Sequence, residues 1–278
     1  MLLNNPVVQM MLTGIFWSLG GVLIKLVDWN PFAIACVRSL VAMSFLCIVN
    51  RRLPRFSFKN PDAIIGGLLY AATMLLFVFA TKLTTAANAI FLQYTSPLYL
   101  ILFGPILLKE RNTWVDYTAV AVLLCGMFIL IGGDLSGGNI TGDLFALASG
   151  LTFGFSTMFL RKQKSAHPSD SLILANVFCC VISLPFLFTS GMPSAKSCIG
   201  LVILGVVQIG LASFFWGKSI KKLSALSAVI IGMLEPILNP VWVALAVHEI
   251  PTWQTVIGGG IILACIVFHV AAKRKNSA

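Results

Sequence analysis

One carboxylate stands inside one of the most apolar stretches of the chain. Glu235 lies in the segment GMLEPILNP, residues 232–240, with Pro236 and Asn239 beside it. An ionised carboxylate in hydrocarbon costs about 2.5 kcal/mol or more unless water or a partner stabilises it. Glu235 is therefore a candidate for binding an amine, for exchanging a proton, or for both. The alternative is a structural carboxylate that pairs with Arg38.

Helical spacing gives Glu235 a polar companion and an interrupted backbone. Asn239 follows four residues later, which places it on the same face of a helix. Pro236 lacks a backbone N–H, and broken helices within a membrane are tolerated where they line a cavity. The pattern predicts a polar cavity beside Glu235.

Arg38 is the only basic residue deep inside a predicted apolar span. A guanidinium matches the planar geometry of a carboxylate, so Arg38 could bind the carboxylate of a solute. It could instead be a structural clamp on backbone carbonyl groups or on Glu235. The sequence leaves both interpretations open.

Other polar and aromatic side chains occur within predicted spans and could contact a solute. Glutamine and tyrosine side chains could orient it, and tryptophan rings could form hydrophobic walls or attract a cation. The candidates are Gln93, Tyr94, Tyr99, Gln208, Trp17 and Trp216. Tyr94 and Tyr99 are five residues apart and do not share a helix face, so they are alternatives as well as partners. The aromatic residues could equally be packing or interfacial side chains.

The composition places these residues in a polytopic membrane protein. Of 278 residues, 58% are hydrophobic and 10% are charged, and the mean hydropathy is +0.96. A spanning helix needs roughly 20 apolar residues, and ten segments qualify. They are residues 7–27, 31–49, 62–81, 84–107, 113–132, 142–160, 169–189, 197–217, 223–247 and 252–272.

The distribution of charge predicts the orientation. The net charge is +10, but with the N-terminus in the cytoplasm, 15 Lys and Arg residues fall in cytoplasmic segments and three on the outer side. This asymmetry follows the positive-inside rule, so it indicates topology rather than a nucleic-acid partner. Both termini are predicted to be cytoplasmic. The seven cysteines show no metal-ligand spacing, and we expect neither a metal nor a cofactor.

The chain repeats itself at an offset of 139 residues. Pro97 corresponds to Pro236 and Glu110 to Glu249 at this offset, and a Thr-Trp pair follows each glutamate. Ser96 occupies the position of Glu235, so the repeat is broken in charge there. We expect the two prolines, Glu110 and Glu249 to be structural or gate elements. Each glutamate would serve the short turn to its next helix.

A looser match joins the starts of the two halves. The segment GIFWSLGGVLIK at Gly14 resembles GLTFGFSTMFLR at Gly150. We predict a first five-helix repeat at residues 7–132, a loop at 133–141, a second repeat at 142–272 and a basic cytoplasmic tail at 273–278. Because five is odd, the second repeat enters the membrane from the opposite side. Inverted repeats of this kind build many secondary transporters.

The repeats also carry a family resemblance. The segments TSPLYLILFGPILLKERNTW and LEPILNPVWVALAVHEIPTW, with CVRSLVA around Arg38, resemble the EamA family of the drug/metabolite transporter superfamily. The resemblance covers nearly the whole chain. It implies ten helices around a central cavity and export of amino acids and other metabolites, or movement of sugars, nucleotide sugars, choline and related solutes.

The sequence therefore predicts an all-α secondary-active transporter that works by alternating access. We expect an exporter of small polar, amino-acid-like or amine-bearing solutes in a bacterial inner membrane, coupled to protons through Glu235. The alternatives are uptake of a cationic solute such as choline and a passive solute channel. No ATP-binding or hydrolase motif indicates an enzyme. The expected partners are the solute, the lipid bilayer and a proton, in a monomer or homodimer.

Overall fold

The computed structural model describes residues 2–51, 60–131, 139–164, 167–247 and 253–275. Every regular element in these ranges is a helix. The α-helices are α1 (Pro6–Trp17), α2 (Gly20–Leu26), α3 (Pro31–Asn50), α4 (Pro61–Leu83), α5 (Ala86–Gln93), α6 (Ser96–Leu108), α7 (Trp114–Ile131), α8 (Ile140–Lys162), α9 (Pro168–Leu187), α10 (Ala195–Ile203), α11 (Ala212–Ser219), α12 (Ala225–Gly232), α13 (Leu234–Val247) and α14 (Trp253–Lys275). Leu2–Asn4 forms a 3₁₀ turn and Leu204–Leu211 a π-helix.

Eight stretches are long and apolar enough to cross a membrane, among the residues that the structure describes. They are Pro6–Leu26, Pro31–Asn50, Pro61–Leu83, Asn88–Leu108, Ile140–Lys162, Pro168–Leu187, Ala195–Ser219 and Trp253–Arg274. Trp114–Ile129 and Ala225–Asn239 are shorter apolar helices. The protein is therefore a multi-pass helical membrane protein. Helical structure also covers each of the ten predicted ranges, with ends within three residues.

Several helices begin at a repeated sequence signal. The side chains of Asn5, Asn30 and Asn60 each accept a hydrogen bond from a backbone N–H in the first turn of α1, α3 and α4. A proline follows each asparagine, where its fixed φ suits the first helical position and its missing N–H costs nothing. Asn-Pro pairs thus set where three long helices start.

Three of the apolar stretches are interrupted near their middle. The first breaks at Ser18–Leu19, between α1 and α2. Tyr94 and Thr95 separate α5 from α6, and Met233 separates α12 from α13. The offset between Tyr94 and Met233 is 139, so the latter two breaks occupy corresponding positions of the sequence repeat.

Helix packing joins the two halves of the chain. The most extensive pairings are α4 with α8, α7 with α14, and α3 with α9, and α1 packs on α11. Each of these pairs takes one helix from residues 1–131 and one from residues 139–275. The core is thus an interface between the two halves, and the cavity described below lies within it.

Candidate functional site

A narrow cavity lies where α1, α3, α4, α5, α8, α13 and the π-helix meet. Its volume is about 40 Å³. This is room for a few water molecules but not for a metabolite, because a site for one water needs about 10–15 Å³ and drug-sized ligands occupy hundreds. The lining residues are Trp17, Arg38, Tyr70, Thr73, Met74, Phe77, Gln93, Phe153, Gln208, Ile209 and Glu235.

Glu235 enters this cavity from the first turn of α13. The break at Met233 makes Glu235 the second residue of a new helix, and its exposed fraction is 4%. The N-terminus of a helix carries partial positive charge, which stabilises a nearby carboxylate. The interrupted helix therefore supplies a buried position at which Glu235 tolerates a negative charge.

Tyr94 holds Glu235 from the opposite broken helix. Its Oη lies 2.9 Å from Oε2 of Glu235 and 2.9 Å from the carbonyl oxygen of Gly232. The tyrosine hydroxyl has one hydrogen, so it can donate to one of these two acceptors. A protonated Glu235 completes both bonds, because its carboxyl donates to Tyr94 while Tyr94 donates to Gly232. The ionised carboxylate leaves one of the contacts without a hydrogen.

Arg38 lines the same cavity but does not pair with Glu235. Its exposed fraction is 1%, and Nη2 donates to the carbonyl oxygen of Met74 at 3.0 Å. Nε and Nη1 have no hydrogen-bond partner among the described residues. Arg38 thus bonds one backbone carbonyl through a single nitrogen, and its other two nitrogens make no hydrogen bond within the described residues.

Two glutamines add polar groups to the lining. Gln93 is the last residue of α5, before the break, and Gln208 lies in the π-helix. A π-helix shifts the register of side chains around the axis and often occurs at functional sites. Here both Gln208 and the adjacent Ile209 line the cavity. Oε1 of Gln208 has no partner among the described residues.

Aromatic rings form one wall of the cavity. The Trp17 ring lies 5.6 Å from Phe153 and 4.9 Å from Trp216, and Tyr70 lies 5.0 Å from Trp216, measured between ring centroids. Trp216 is fully buried and stands behind the lining rings. The aromatic faces offer a surface that can attract a cation as well as exclude water.

The structure separates the remaining predicted site residues from the lining. Tyr99 is half-buried and packs against Gly154 of α8. Asn239 is buried beside Gly21 of α2, and its Oδ1 has no partner among the described residues. Trp242, another residue of the Glu235 helix, donates from Nε1 to Ser18 Oγ at 2.7 Å, which ties α13 to the break between α1 and α2.

The two predicted prolines are buried at the starts of the second half-helices. Pro97 is the second residue of α6, and Pro236 follows Glu235 in α13. Their missing N–H groups fall within the first turn, where no intrahelical acceptor is available. Both prolines therefore suit the restart of a helix after a break.

Glu110 sits at one end of the bundle and joins elements far apart in sequence. Arg161 Nε donates to Glu110 Oε1 at 2.7 Å, and the backbone N–H of Ala225 donates to Oε2 at 3.1 Å. Arg161 Nη1 also donates to the carbonyl oxygens of Ile220 and Lys221, at 2.9 and 2.7 Å. We call these five residues the Glu110 clasp.

The Glu110 clasp differs from the sequence expectation in its partners. Glu110 serves the start of α12 and the end of α8, not the turn to its own next helix α7. The turn to α7 is held by Asp116, whose Oδ2 accepts from the backbone N–H of Thr113 at 2.7 Å. Glu249, the counterpart of Glu110, lies outside the described residues.

Two lysines join helix ends through backbone carbonyls. Lys25 Nζ, near the end of α2, donates to the Thr84 carbonyl oxygen at 2.7 Å, and Lys82 Nζ donates to that of Val27 at 2.6 Å. Thr84 Oγ1 in turn donates to Asp143 Oδ1 at 2.8 Å, which adds α8. In the looser sequence match, Lys25 corresponds to Arg161 of the Glu110 clasp.

Sequence analysis did not single out some of the residues that form the site. Phe153 and Ile209 line the cavity, and Arg161 is the cation of the Glu110 clasp. The alignment of Gly14 with Gly150 could have indicated Arg161, because it pairs Arg161 with Lys25. No cluster of three metal-binding side chains occurs within the described ranges.

These features define a multi-pass membrane protein with a polar, buried central cavity. A family model described as the EamA-like transporter family matches residues 5–132 and 140–271. The chain belongs to the EamA-like transporter family. Membership of this family makes it a membrane transporter of small molecules.

Characterised and solved relatives agree with this assignment. The chain is 24% identical to human solute carrier family 35 member G1 over 287 residues, covering 95% of this chain and 78% of that protein. It is 24% identical to the biotin transporter of Escherichia coli strain K12, with 89% and 87% covered. The pseudopaline exporter CntI of Pseudomonas aeruginosa strain PAO1 is 21% identical, with 77% and 76% covered. A crystal structure shares the fold with a TM-score of 0.80 at 18% identity, over 98% of this chain and 99% of the other.

Proposed function

We propose that the protein is a secondary-active transporter that exports small polar, amino-acid-like or amine-bearing solutes by alternating access, coupled to protons. The observation that carries this proposal is Glu235, a buried carboxylate in the central cavity at the break between two half-helices. Such half-helices near the centre of a membrane are where secondary transporters bind solutes and coupling ions.

The proposed architecture is ten spanning helices in two inverted five-helix repeats, residues 7–132 and 142–272. A matched pair of contacts supports it. A Cβ added to Gly14 would lie 2.9 Å from the carbonyl oxygen of Gly232, and one added to Gly150 would lie 2.7 Å from that of Gln93. Gly14 aligns with Gly150, and Gln93 is 139 residues before Gly232. The glycine of each half thus approaches a helix break in the other half, as two equivalent repeats would require.

The Glu110 clasp is the proposed gate at one mouth of the cavity. With both termini in the cytoplasm, its residues lie at the cytoplasmic ends of the fourth, sixth and eighth spans and at the start of the ninth. The bonds of Lys25 and Lys82 lie at the outer ends of the first and third spans. Alternating access would release one set of bonds while the other holds, as swapping the conformations of two repeats requires.

Glu235 is the proposed site of proton exchange and of the solute amine. Tyr94 contacts the carboxyl in the contracted cavity, and an arriving amine would replace this contact. Gln93 and Gln208 would orient the solute, with Trp17 as a wall. Asn239, Tyr99 and Trp216 lie outside the lining, and we propose that they contribute to binding only in an opened state.

Uptake of a cationic solute such as choline is a second candidate. The aromatic wall favours it, because tryptophan, tyrosine and phenylalanine rings bind quaternary ammonium groups. The unpaired guanidinium of Arg38 in the same cavity disfavours a solute that carries only positive charge. A passive channel is less consistent with a central cavity of about 40 Å³ that the lining side chains nearly fill.

The test is solute counterflow in proteoliposomes after a thermal-shift screen of amino acids and amines. A specific ligand raises the melting temperature of the state that it binds. We expect saturable counterflow with wild-type protein and solute-driven movement of protons. Glu235→Gln keeps the shape of the side chain but cannot ionise, so proton movement should be lost. The control is Asp62→Asn, a change at an exposed carboxylate.

Two results would overturn the proposal. Ion currents through single molecules in the absence of counterflow would indicate a channel. Unchanged proton movement, pH dependence and solute affinity in Glu235→Gln would remove Glu235 from the mechanism.

A further inference from the structure

Arg38 presents an unusual charge balance. Its exposed fraction is 1%. The only hydrogen bond of its side chain within the described residues is the one from Nη2, and no described carboxylate lies within ion-pair distance of the guanidinium. Removing a guanidinium from water costs several kcal/mol unless a partner and hydrogen bonds compensate it. A purely structural clamp would use its donors. Arg38, which lines the cavity, instead leaves Nε and both hydrogens of Nη1 without a hydrogen-bond partner among the described residues.

The neighbours of Arg38 do not supply the missing anion. Glu235 and Tyr70 line the same cavity, and Cys179 packs nearby on α9, with its Sγ directed to the carbonyl oxygen of Ala35. Tyrosine and cysteine are neutral at ordinary pH. Glu235 is engaged by Tyr94 on the opposite broken helix. The carboxyl group in the lining, that of Glu235, therefore contacts Tyr94 and not Arg38.

We infer that Arg38 forms a carboxylate subsite, so that the solute carries a carboxylate as well as an amine. This inference rests on the proposed function and specifies the solute class. A zwitterion would place its carboxylate at Nε and Nη1 of Arg38 and its amine toward Glu235 and the aromatic wall. The charges in the cavity then sum to zero, with Arg38 and Glu235 each paired with the opposite charge of the solute.

Gln208 fits the amine side of the same solute. Its Oε1 is a buried hydrogen-bond acceptor without a partner, and the π-helix directs this side chain into the cavity. A carboxylate has no hydrogen to give to Oε1, whereas an ammonium has three. The unpaired groups of the lining are thus donors at Arg38 and an acceptor at Gln208, which is the pattern that a zwitterion complements.

The first experiment uses small ions as probes and needs no knowledge of the natural solute. The melting temperature of purified protein is measured in 100 mM sodium acetate, sodium chloride or acetamide in sodium chloride. We expect acetate to raise the melting temperature by about 2 °C or more above chloride, since a ligand stabilises the state that it binds. Acetamide, which has the same shape without the charge, should not do so.

Variants assign the effect to Arg38. Arg38→Met should abolish the acetate shift, and its melting temperature in chloride should equal or exceed that of the wild type because an unpaired buried charge is removed. Arg274→Met, at an exposed arginine, should retain the shift. An acetate effect equal to that of chloride in the wild type, or one that persists in Arg38→Met, would overturn the inference. So would a marked loss of stability in Arg38→Met without acetate, which a clamp predicts.

A second experiment compares transport of matched solutes. Counterflow of an amino acid is compared with that of its amide, for example phenylalanine and phenylalaninamide. We expect at least tenfold preference for the free carboxylate in the wild type and loss of this preference in Arg38→Met. Equal transport of both forms by the wild type contradicts the carboxylate subsite and leaves the transporter proposal intact. Absence of counterflow with every solute counts against the transporter proposal, while the acetate experiment still decides the subsite.

Discussion

Tyr94 Oη lies 2.9 Å from Oε2 of Glu235, so the broken helices of the two halves meet through one hydroxyl group. Tyr94 directly follows α5, and Glu235 is the second residue of α13. The same hydroxyl contacts the carbonyl oxygen of Gly232, for which Pro236, four residues on, has no backbone N–H to donate. One side chain thus links the proton state of a carboxyl to the geometry of a helix break.

The contact between Tyr94 and Glu235 should be measurable as a coupling free energy. Tyr94→Phe and Glu235→Ala are made singly and together, and unfolding is followed in mixed micelles. We expect the two changes to be non-additive by about 0.5–3 kcal/mol, as for residues in one hydrogen-bond network. The control cycle combines Glu235→Ala with Tyr117→Phe instead of Tyr94→Phe. Tyr117 is 45% exposed on α7, so this cycle should show no coupling. Additive effects in the first cycle would show that the contact carries no energy.

The Glu110 clasp should govern access to the cavity from one side. Arg161→Gln removes a charge-assisted bond and two bonds to carbonyl oxygens, each of which contributes about 1 kcal/mol or more. Because 1.4 kcal/mol changes an equilibrium constant tenfold, a loss of about 3 kcal/mol should make the opened state about a hundredfold more populated. The measurement is the rate at which an impermeant maleimide modifies Thr73→Cys, in the cavity lining, in a background without native cysteines and in inside-out vesicles.

Lys162 provides the matched control for Arg161. It is the next residue on α8 and pairs with Asp62 at 3.4 Å, with side chains 31% and 37% exposed. Exposed pairs of this kind contribute about 0–1 kcal/mol. Lys162→Gln should therefore leave the modification rate unchanged. If Arg161→Gln and Lys162→Gln behave alike, the Glu110 clasp is not a gate.

The two close glycine contacts should respond equally to substitution. Gly14→Ala and Gly150→Ala each place a methyl group within 3 Å of a carbonyl oxygen at a helix break. We expect each to lower the free energy of unfolding by about 1–3 kcal/mol, the usual cost of overpacking. Gly104→Ala is the control, because nothing lies within 4 Å of its added Cβ, and it should be neutral or stabilising. A cost at one glycine alone would argue against equivalent contacts.

Asp116 should be important for stability rather than for transport. Its side chain is 3% exposed, and it contacts His269 Nε2 at 3.0 Å and Lys273 Nζ at 2.7 Å, which joins α7 to α14. Asp116→Asn removes an acceptor and leaves Lys273 without this partner, so we expect a loss of about 1–3 kcal/mol in the free energy of unfolding. Solute affinity should not change. Asp62→Asn, at a surface pair, should stay within about 0.5 kcal/mol of the wild type.

Helix positions could be predicted because local signals determine them. Long apolar runs need about 20 residues to cross a membrane, and Asn-Pro pairs cap helix starts at Asn5, Asn30 and Asn60. The π-helix at Leu204–Leu211 was not predicted, since its sequence LGVVQIGL carries no proline and reads as an ordinary apolar helix. Its geometry depends on packing against other helices.

Part of the cavity lining could be predicted from residue type, because polar side chains within apolar spans normally face a cavity or a partner rather than lipid. Glu235, Arg38, Gln93, Gln208 and Trp17 were selected as polar or aromatic residues in apolar spans, and all five line the cavity. Whether they bind solute stays a prediction.

The partners within the site could not be read from spacing along the chain. Pairing of Glu235 with Arg38 was one open interpretation, and Tyr94 occupies that place instead. Similarly, spacing within one helix could not show that Glu110 reaches the start of α12, because that contact spans 115 residues.

The Glu110 clasp also bears on how the cell keeps its ion gradients. If the Glu110 clasp is the gate proposed above, opening it breaks two bonds to one carboxylate and leaves the first turn of α12 without its acceptor. In such a gate, the solute would supply the compensating interactions, and a protein without solute would stay closed. If the proposed pathway carries protons, their leakage through the closed gate would be slow, and many copies could reside in an energised membrane without discharging it.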